Sequence, residues 1–475
     1  MPIRKAGPIQ ILETVKHQMR PGRATLLCME AEDSPESLPP ADAVARKRRW
    51  YPICALGAII LAFVALASFI AIRTPAYESA DEPGHVQNIE TLVRGHWYGM
   101  DSRCEMLNRY CSGTEAHQAP LYYLAFAGWQ RLVGVPARAT YHGQSRLFDA
   151  QQGTFLHHSN ADRRFLLWLR LPNVLLGALT VLVTFFAVRL VSSDPWTPVV
   201  GASIVAFLPR FVFLSAFVTN DNLVDLLGAV LVLLALRFTR RPTGWRMAWL
   251  GFAFGLLVAT KLSALPVGLV LIVLAFMVRG WRRRGGFLAI GALTAFAACG
   301  WYLIQNTVRY GDPLARAASA RYLAQVGGLG TFFIPYVVSN PLNLVFVRVP
   351  QRIADGFWYV SGSVGQFHWP WPVSLVFWAV LAASVAGIIS RHIDRWTLAT
   401  LLTVAGAGLL SVWIVAFQTS TYEARYVYVG LSAIAALVAL GLERWRLPVR
   451  LILPVMGLVG TVVAIQQNVL AVHWG

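Results

Sequence analysis

Long runs of apolar residues recur along the chain after residue 50, and they limit its fold more than any other feature. A helix that crosses a bilayer needs about 20 mostly apolar residues, and backbone inside lipid must be hydrogen-bonded internally. These runs therefore predict an all-α polytopic membrane protein with about eleven transmembrane helices. The runs are Tyr51–Ile72 and residues 165–190, 196–216, 222–238, 247–262, 264–279, 286–304, 371–390, 397–417, 426–442 and 449–470.

Composition and charge support the same class. Hydrophobic residues make up 56% of the 475 residues and charged residues only 13%, too few charges to cover the surface of a soluble protein. A net charge of +18 would suggest nucleic acid in a soluble protein, but here the arginines concentrate in alternate short loops. Because positively charged loops stay on the cytoplasmic side, this pattern predicts a plasma-membrane protein with a cytoplasmic N-terminus and no nucleic-acid partner.

The segments outside the runs divide the chain into a tail and one membrane-embedded domain. Residues 1–50 are polar and partly proline-rich, which predicts a disordered cytoplasmic tail before a retained first span. Residues 51–475 form the domain, with two long outer connections at 73–164 and 305–370. Irregular backbone cannot lie in lipid, so these connections must fold over the helix ends, the first of them with short amphipathic helices. Residues 331–347 contain two prolines and are interpreted as re-entrant or surface-lying.

Two cysteines, Cys104 and Cys111, fall in the first outer connection. Their spacing suits a local disulfide loop in an oxidising compartment. The alternative is two free thiols, which are reactive when exposed. The sequence favours the disulfide.

Carboxylates and histidines gather in the same connection. Asp81 and Glu82 follow the first span closely, and His85 lies four residues after Asp81. This group suits acid–base chemistry or metal binding, although Asp81 could simply cap a helix that has a proline in its first turn. Glu115 and His117 precede an aromatic segment, and that arrangement also fits an interfacial helix without chemistry.

Further ionisable groups lie at the outer ends of predicted spans, where they are costly unless paired or functional. Asp221 and Asp225 share a helix face by their four-residue spacing, and Lys261 ends another span. Lys261 either pairs with Asp221 or Asp225 or binds a phosphate, and the two roles are compatible. Arg425 and Arg210 lie near the outer ends of two more spans, and a guanidinium can bind phosphate through two hydrogen bonds.

Two strings of the first connection together indicate a family. Asp-Glu-x-x-His at Asp81–His85 and His-x-x-Pro-Leu-Tyr-Tyr at His117–Tyr123 resemble the first loop of GT-C glycosyltransferases that use lipid-linked sugars. Protein O-mannosyltransferases and aminoarabinose transferases are the nearest of these, and later strings resemble a bacterial membrane family of unknown function, DUF2142. Those strings are Phe217–Leu223, Ala259–Leu262, Asn306 with Tyr310–Leu314, and Glu423–Tyr426. The usual double proline is Ala119-Pro120 here, and an extra segment holds the two cysteines.

The resemblance implies an inverting glycosyltransferase on the outer membrane face. A polyprenyl-phosphate sugar would be the donor, and a hydroxyl of a protein, glycan or lipid the acceptor. It implies that Asp81 and Glu82 form the catalytic pair, with Asp81 as general base. The other implied residues are the acceptor-orienting His85, Glu115 and His117, the phosphate-binding Lys261, Arg425 and Arg210, and the supporting Asn220, Asp221, Asp225 and Tyr426.

This chemistry requires no cofactor, and the sequence has no nucleotide-binding signature. A divalent metal is not favoured, although Asp81 with His85, or Glu115 with His117, would be its candidate ligands. Membrane lipids are the remaining expected partners.

Two alternatives stay open, a polyprenyl-lipid transporter or flippase and a catalytically inactive membrane scaffold of the same fold. A transporter would explain the intramembrane charges, but such folds usually contain paired broken helices and lack one large first loop. A scaffold stays open because a fold does not by itself establish activity.

Overall fold

The computed structural model describes most of the chain, and the statements below concern the described residues. These are residues 41–77, 81–100, 115–136, 148–149, 154–155, 160–327, 340–358, 360–361, 366–367, 370–418 and 423–470. The predicted Cys104–Cys111 disulfide lies outside them. The chain divides into two units, Met1–Arg48 and Arg49–Gly475. The described part of the first unit is helical, and the second unit carries the elements discussed below.

The predicted all-α architecture is confirmed. The helices are α1 (Ala41–Arg73), α2 (Glu82–Val93), α3 (Leu121–Leu132), α4 (Asn160–Val191), α5 (Thr197–Ala206), α6 (Pro209–Ser215), α7 (Asp221–Arg240), α8 (Gly244–Thr260), α9 (Leu269–Met277), α10 (Trp281–Tyr310), α11 (Arg316–Gly327), α12 (Pro341–Asn343), α13 (Val349–Gly356), α14 (Trp371–Ile389), α15 (Arg395–Gln418), α16 (Leu431–Leu442) and α17 (Leu447–Ile465).

Short irregular helices continue several of these elements. The 3₁₀ segments are Leu262–Gly268 and Ala424–Gly430, and the π segments are Leu344–Arg348 and Gln466–Leu470. The β-structure in the described part of the chain is limited to two antiparallel pairs of two-residue strands. These are Phe148–Asp149 with Thr154–Phe155 and Val360–Ser361 with Gln366–Phe367.

The predicted count of eleven spans is not confirmed. Among the described residues, eight helices are long and apolar enough to cross a membrane, and a bent pair would make nine. The predicted spans 247–262 and 264–279 correspond to the 17-residue α8 and to a shorter apolar helical segment, Leu262–Met277. The chain is therefore a multi-pass membrane protein in which some apolar runs are shorter than a full bilayer crossing.

The bent pair is α5 and α6, which meet at 64° where the sequence predicts one straight span. Leu208 between them is extended, and Pro209 opens α6. Proline has no amide hydrogen to donate and restricts the residue before it, so the helix ends there and restarts in a new direction. The bend directs Arg210 toward the connection that precedes α16, as its contacts below show.

The connection between α1 and α4 packs against the helical bundle through its own apolar core. Buried residues of α2 and α3 meet the first turns of α4 in one cluster, with Ile89, Tyr122, Phe126 and Leu166 among its members. The expectation that short helices of this connection fold over the helix ends is therefore met. Their packing fixes where the residues just before α2 lie.

Candidate functional site

The charged residues singled out in the sequence converge at one end of the bundle. Asp81 immediately precedes α2, Asp221 is the first residue of α7, and Lys261 directly follows α8. Arg425 lies in the 3₁₀ segment that leads into α16, and Arg210 is in α6. Since α7 and α8 run in opposite directions, the start of one and the end of the other lie side by side.

Asp81 forms an ion pair with Arg425. It occupies the N-cap position of α2, as the plainer sequence interpretation expected, but its side chain makes no capping hydrogen bond. Burial alone would raise the pKa of Asp81, but the charges of Arg425, His85 and Lys261, with Arg425 the strongest, together lower the pKa from 3.8 to about 2. Asp81 is therefore an ionised carboxylate at neutral pH.

Arg425 is shared among three carboxylates. Besides its pairing with Asp81, its Nε lies 3.6 Å from an oxygen of Asp221 and 3.3 Å from an oxygen of Glu423. Glu423 also pairs with Arg210, which donates a second hydrogen bond of 3.0 Å to the carbonyl of Gly356. Two cations and three carboxylates from four parts of the chain thus form one network.

Lys261 joins the same network through Asp221. The two form a buried ion pair, one of the two pairings that the sequence left open. The Lys261 ammonium also lies 4.7 Å from the ring centroid of Tyr426, at cation–π distance. Asp225 lies one helical turn below Asp221, and its Oδ2 is buried without a hydrogen-bond partner in the part of the chain that the structure describes. Asp225 is thus near enough to Lys261 to interact with it electrostatically, but the ion pair of Lys261 is with Asp221.

Glu82 lies in a separate environment from its neighbour Asp81. It is fully buried, and both its oxygens accept hydrogen bonds from Arg170, at 2.8 and 2.6 Å. The backbone amides of Tyr77 and Val218 donate to the same carboxylate, each at 3.2 Å. Because its oxygens are occupied in this way, Glu82 fixes the local backbone and is not directed toward the network around Arg425.

Arg170 is the residue that the sequence interpretation missed. It is 2% exposed, and it donates to the carbonyls of Ala71, Thr74 and Pro75 at 2.8–2.9 Å as well as to Glu82. These bonds tie the end of α1 to α4. The signal was present in the sequence as an arginine within the apolar run 165–190, because an intramembrane charge is costly unless it is partnered.

The acceptor-orienting candidates lie beside Asp81. His85 Nδ1 is 2.8 Å from the hydroxyl oxygen of Tyr123, and burial lowers the pKa of His85 while the carboxylates of Glu115 and Asp81 oppose that effect. Burial and the negative charge of Asp81 raise the pKa of Glu115. The side-chain amide of Gln118 donates to Glu115 at 2.9 Å and lies 3.2 Å from His117.

Gln118 also connects this loop to the transmembrane helices. Its side-chain oxygen accepts a 3.2 Å hydrogen bond from Asn220, the residue directly before Asp221. Asn220 further reaches the carbonyl of Thr260, next to Lys261. The loop that carries Glu115 and His117 is thereby placed against the network.

Asp81, His85, Glu115 and His117, the metal-ligand candidates of the sequence, lie in this region. Within the described ranges, no group of three or more His, Cys, Asp or Glu side chains has a metal-binding arrangement. Asp81 and Glu115 each have a protein partner.

Comparisons with known proteins were made for sequence and for structure. The dolichyl-phosphate-mannose-protein mannosyltransferase family matches residues 141–308. No curated protein matches the chain. The Archaeoglobus fulgidus oligosaccharyltransferase, in complex with Zn and sulfate, is similar in structure, with 14% identity, a TM-score of 0.51 and coverage of 86% of this chain. ArnT from Cupriavidus metallidurans in the apo state gives 13% identity, a TM-score of 0.50 and 82% coverage. The chain spans 53% and 60% of the lengths of these two proteins, respectively.

Proposed function

We propose that this chain, which has the GT-C fold, is an inverting glycosyltransferase that moves a sugar from a polyprenyl-phosphate donor to a hydroxyl acceptor. The mannosyltransferase family named above matches residues 141–308, and that stretch contains Asp221 and Lys261. The two proteins of similar structure support the fold only. The active site would lie on the outer face of the plasma membrane, with the N-terminus cytoplasmic, because the basic loops lie at the opposite ends of the helices.

The observation that carries the proposal is the ion pair between Asp81 and Arg425, to which Lys261 is connected through Asp221. A glycosyl transfer of this kind needs a base at the acceptor hydroxyl and positive charge at the departing phosphate. Asp81 is ionised and forms an ion pair with Arg425. Arg425 also approaches Asp221, and Asp221 forms an ion pair with Lys261. Base and cations are thus within one network of contacts at the end of the bundle.

The reaction is then a single displacement. Asp81 takes the proton from the acceptor hydroxyl as its oxygen forms a bond to the anomeric carbon of the sugar. The bond between that carbon and the phosphate oxygen breaks, the configuration inverts, and the polyprenyl phosphate leaves with the bonding electron pair. Lys261 and Arg425 stabilise the negative charge that develops on the leaving phosphate. A cationic side chain interacts strongly with such a charge in a site that contains little water.

The remaining residues have positioning roles in this proposal. Glu82, bound by Arg170, holds the backbone turn that presents Asp81. His85, Glu115 and His117 would contact the acceptor, and Arg210 keeps Glu423 beside Arg425. Asn220, Asp221, Asp225 and Tyr426 would support the cations. Asp81 and Glu115 remain the candidate groups should a divalent metal take part.

The test is turnover of a labelled polyprenyl-phosphate sugar by the protein in proteoliposomes. Loss of a general base typically slows a reaction by about 10²–10⁴-fold. Asp81→Asn should therefore still bind the donor, and its turnover rate should fall by a factor in that range. Asp312→Asn is the matched control, because Asp312 lies in another connection at the same end and pairs only locally with Arg316. An Asp81→Asn variant that retains more than about a tenth of the wild-type rate would contradict the assignment.

A further inference from the structure

A cavity lies at the end of the bundle opposite the candidate site. Its volume is about 460 Å³, within the range of about 300–1,000 Å³ that small-molecule sites occupy. The C-terminal ends of α4, α7 and α9 and the connection that leads into α15 surround it. Arg240, at its rim, is separated from Asp221 by the length of the 20-residue α7, or about 30 Å at 1.5 Å per residue.

The lining of this cavity is amphipathic. Five apolar side chains belong to it, and they are Leu190, Val191, Met277, Ile393 and Trp396. Three basic side chains, Arg240, Arg391 and His392, and one acidic side chain, Asp394, accompany them. An apolar surface beside cations fits a molecule that carries both an anionic group and hydrocarbon.

Two basic side chains of this cavity have capacity for a ligand. Arg391 is occupied by Glu443, but the side chains of Arg240 and His392 form no hydrogen bond or ion pair with the described residues. Carboxylates at this end already have partners. Asp194 is bound by Arg450, and Asp394 accepts the backbone amide of Thr397 at 2.9 Å. Arg240 is therefore a cation of the lining that pairs with no carboxylate of the described residues, and Asp394 contributes one negative charge to the same lining.

The position of the cavity along the helices indicates that its ligand comes from the membrane. Large tryptophans with high exposure, Trp245 at 69% and Trp281 at 81%, lie at this end of neighbouring helices. Exposed tryptophans mark the level of the lipid headgroups, where phosphates of the leaflet concentrate. A phosphate at this level with its hydrocarbon directed into the leaflet matches the cationic and apolar parts of the lining.

We propose that this cavity is a binding site for a phosphate-bearing anionic lipid of the adjacent leaflet. The phosphate would be bound by Arg240 and His392, and the glycerol and upper hydrocarbon by the apolar lining. The site is separate from the proposed donor site, and the inference does not depend on the transferase activity.

Native mass spectrometry of the detergent-solubilised protein with short-chain phosphatidylglycerol tests this site. The wild type should bind phosphatidylglycerol and not the zwitterionic phosphatidylcholine. Arg240→Gln should weaken phosphatidylglycerol binding about fivefold, since a basic residue near anionic lipid contributes about 1 kcal/mol. Ile393→Trp, which fills the cavity and keeps every charge, should weaken binding at least as much.

Arg282→Gln is the matched control, because Arg282 is an exposed arginine at the same end and outside the cavity. Equal losses for Arg282→Gln and Arg240→Gln would show diffuse attraction between lipid and a basic surface, and would overturn the proposal. Unchanged binding in Ile393→Trp would do the same. Full displacement of the lipid by inorganic phosphate would show that the ligand is the free anion, which also contradicts a lipid site. Thermal unfolding in detergent verifies that each variant is folded.

Discussion

At the residue scale, two adjacent carboxylates have different partners and should have different phenotypes. Glu82 is bound by the buried Arg170, whereas Asp81 is partly exposed and bound by Arg425. Removing one member of a buried ion pair typically costs about 3–5 kcal/mol, because the other charge remains unpaired. Glu82→Gln should therefore lower the melting temperature in detergent much more than Asp81→Asn. A Glu82→Gln protein with a wild-type melting temperature and no activity would instead place Glu82 in the chemistry.

The depressed pKa of Asp81 leads to a second prediction. A carboxyl whose pKa is 3.8 in the unfolded chain and about 2 in the folded protein stabilises the fold above pH 3.8. That contribution disappears as the pH falls toward 2. The stability difference between wild type and Asp81→Asn should be constant between about pH 5 and 7 and shrink below about pH 4. Melting curves over this range measure it, and a difference that changes near pH 6 would contradict the pairing.

The sequence could predict the members of the network but not their pairings. Alternation of helix direction places Asp81, Asp221, Lys261 and Arg425 at one end, and that placement is confirmed by their contacts. The partner of Glu82 lies 88 positions away in another helix, so no spacing rule connects them. Predicting this pair needs the three-dimensional packing of α2 against α4.

At the element scale, glycines allow α8 and α10 to approach closely. A Cβ at Gly251 would lie 2.2 Å from the carbonyl oxygen of Gly291, and one at Gly255 would lie 2.2 Å from that of Ala295. Small residues at four-residue spacing are the usual means of close helix packing in membranes. Since α8 ends immediately before Lys261, this contact also helps to fix the position of the cation.

Gly251→Ala should therefore destabilise the protein. The added methyl group must displace backbone, and overpacking of this kind costs about 1–3 kcal/mol. Gly406→Ala in α15 is the control, because no atom lies within 4 Å of its Cβ position, and alanine favours helix over glycine. Melting temperatures should fall for the first variant and stay level or rise for the second. Equal melting temperatures would show that α8 and α10 can separate without cost.

The apolar pattern predicted most helices but not where they are interrupted. Runs of about 20 apolar residues correspond to the long helices because lipid imposes that length. The bend between α5 and α6 lies at Pro209, inside the apolar run 196–216. Proline position is the local signal that would have divided this run.

At the scale of the whole molecule, the two ends of the bundle should lie on opposite sides of the membrane. Ala320 in α11 is at the end of the candidate site, and Gly285 near the start of α10 is at the basic end; both are exposed. In a variant without native cysteines, Ala320→Cys should react with an impermeant thiol reagent in intact cells, and Gly285→Cys only after lysis. Reversed labelling would invert the orientation and place the site in the cytoplasm.

The shared use of Arg425 has a kinetic consequence. The guanidinium that is proposed to neutralise the donor phosphate is the one that holds the pKa of Asp81 low. When a phosphate draws Arg425 toward itself, the Asp81 carboxylate loses its strongest opposing charge, and its proton affinity rises. Arrival of the donor thus strengthens the base. Donor would then bind first and acceptor second, and in the absence of donor the base would remain too weak to activate a hydroxyl.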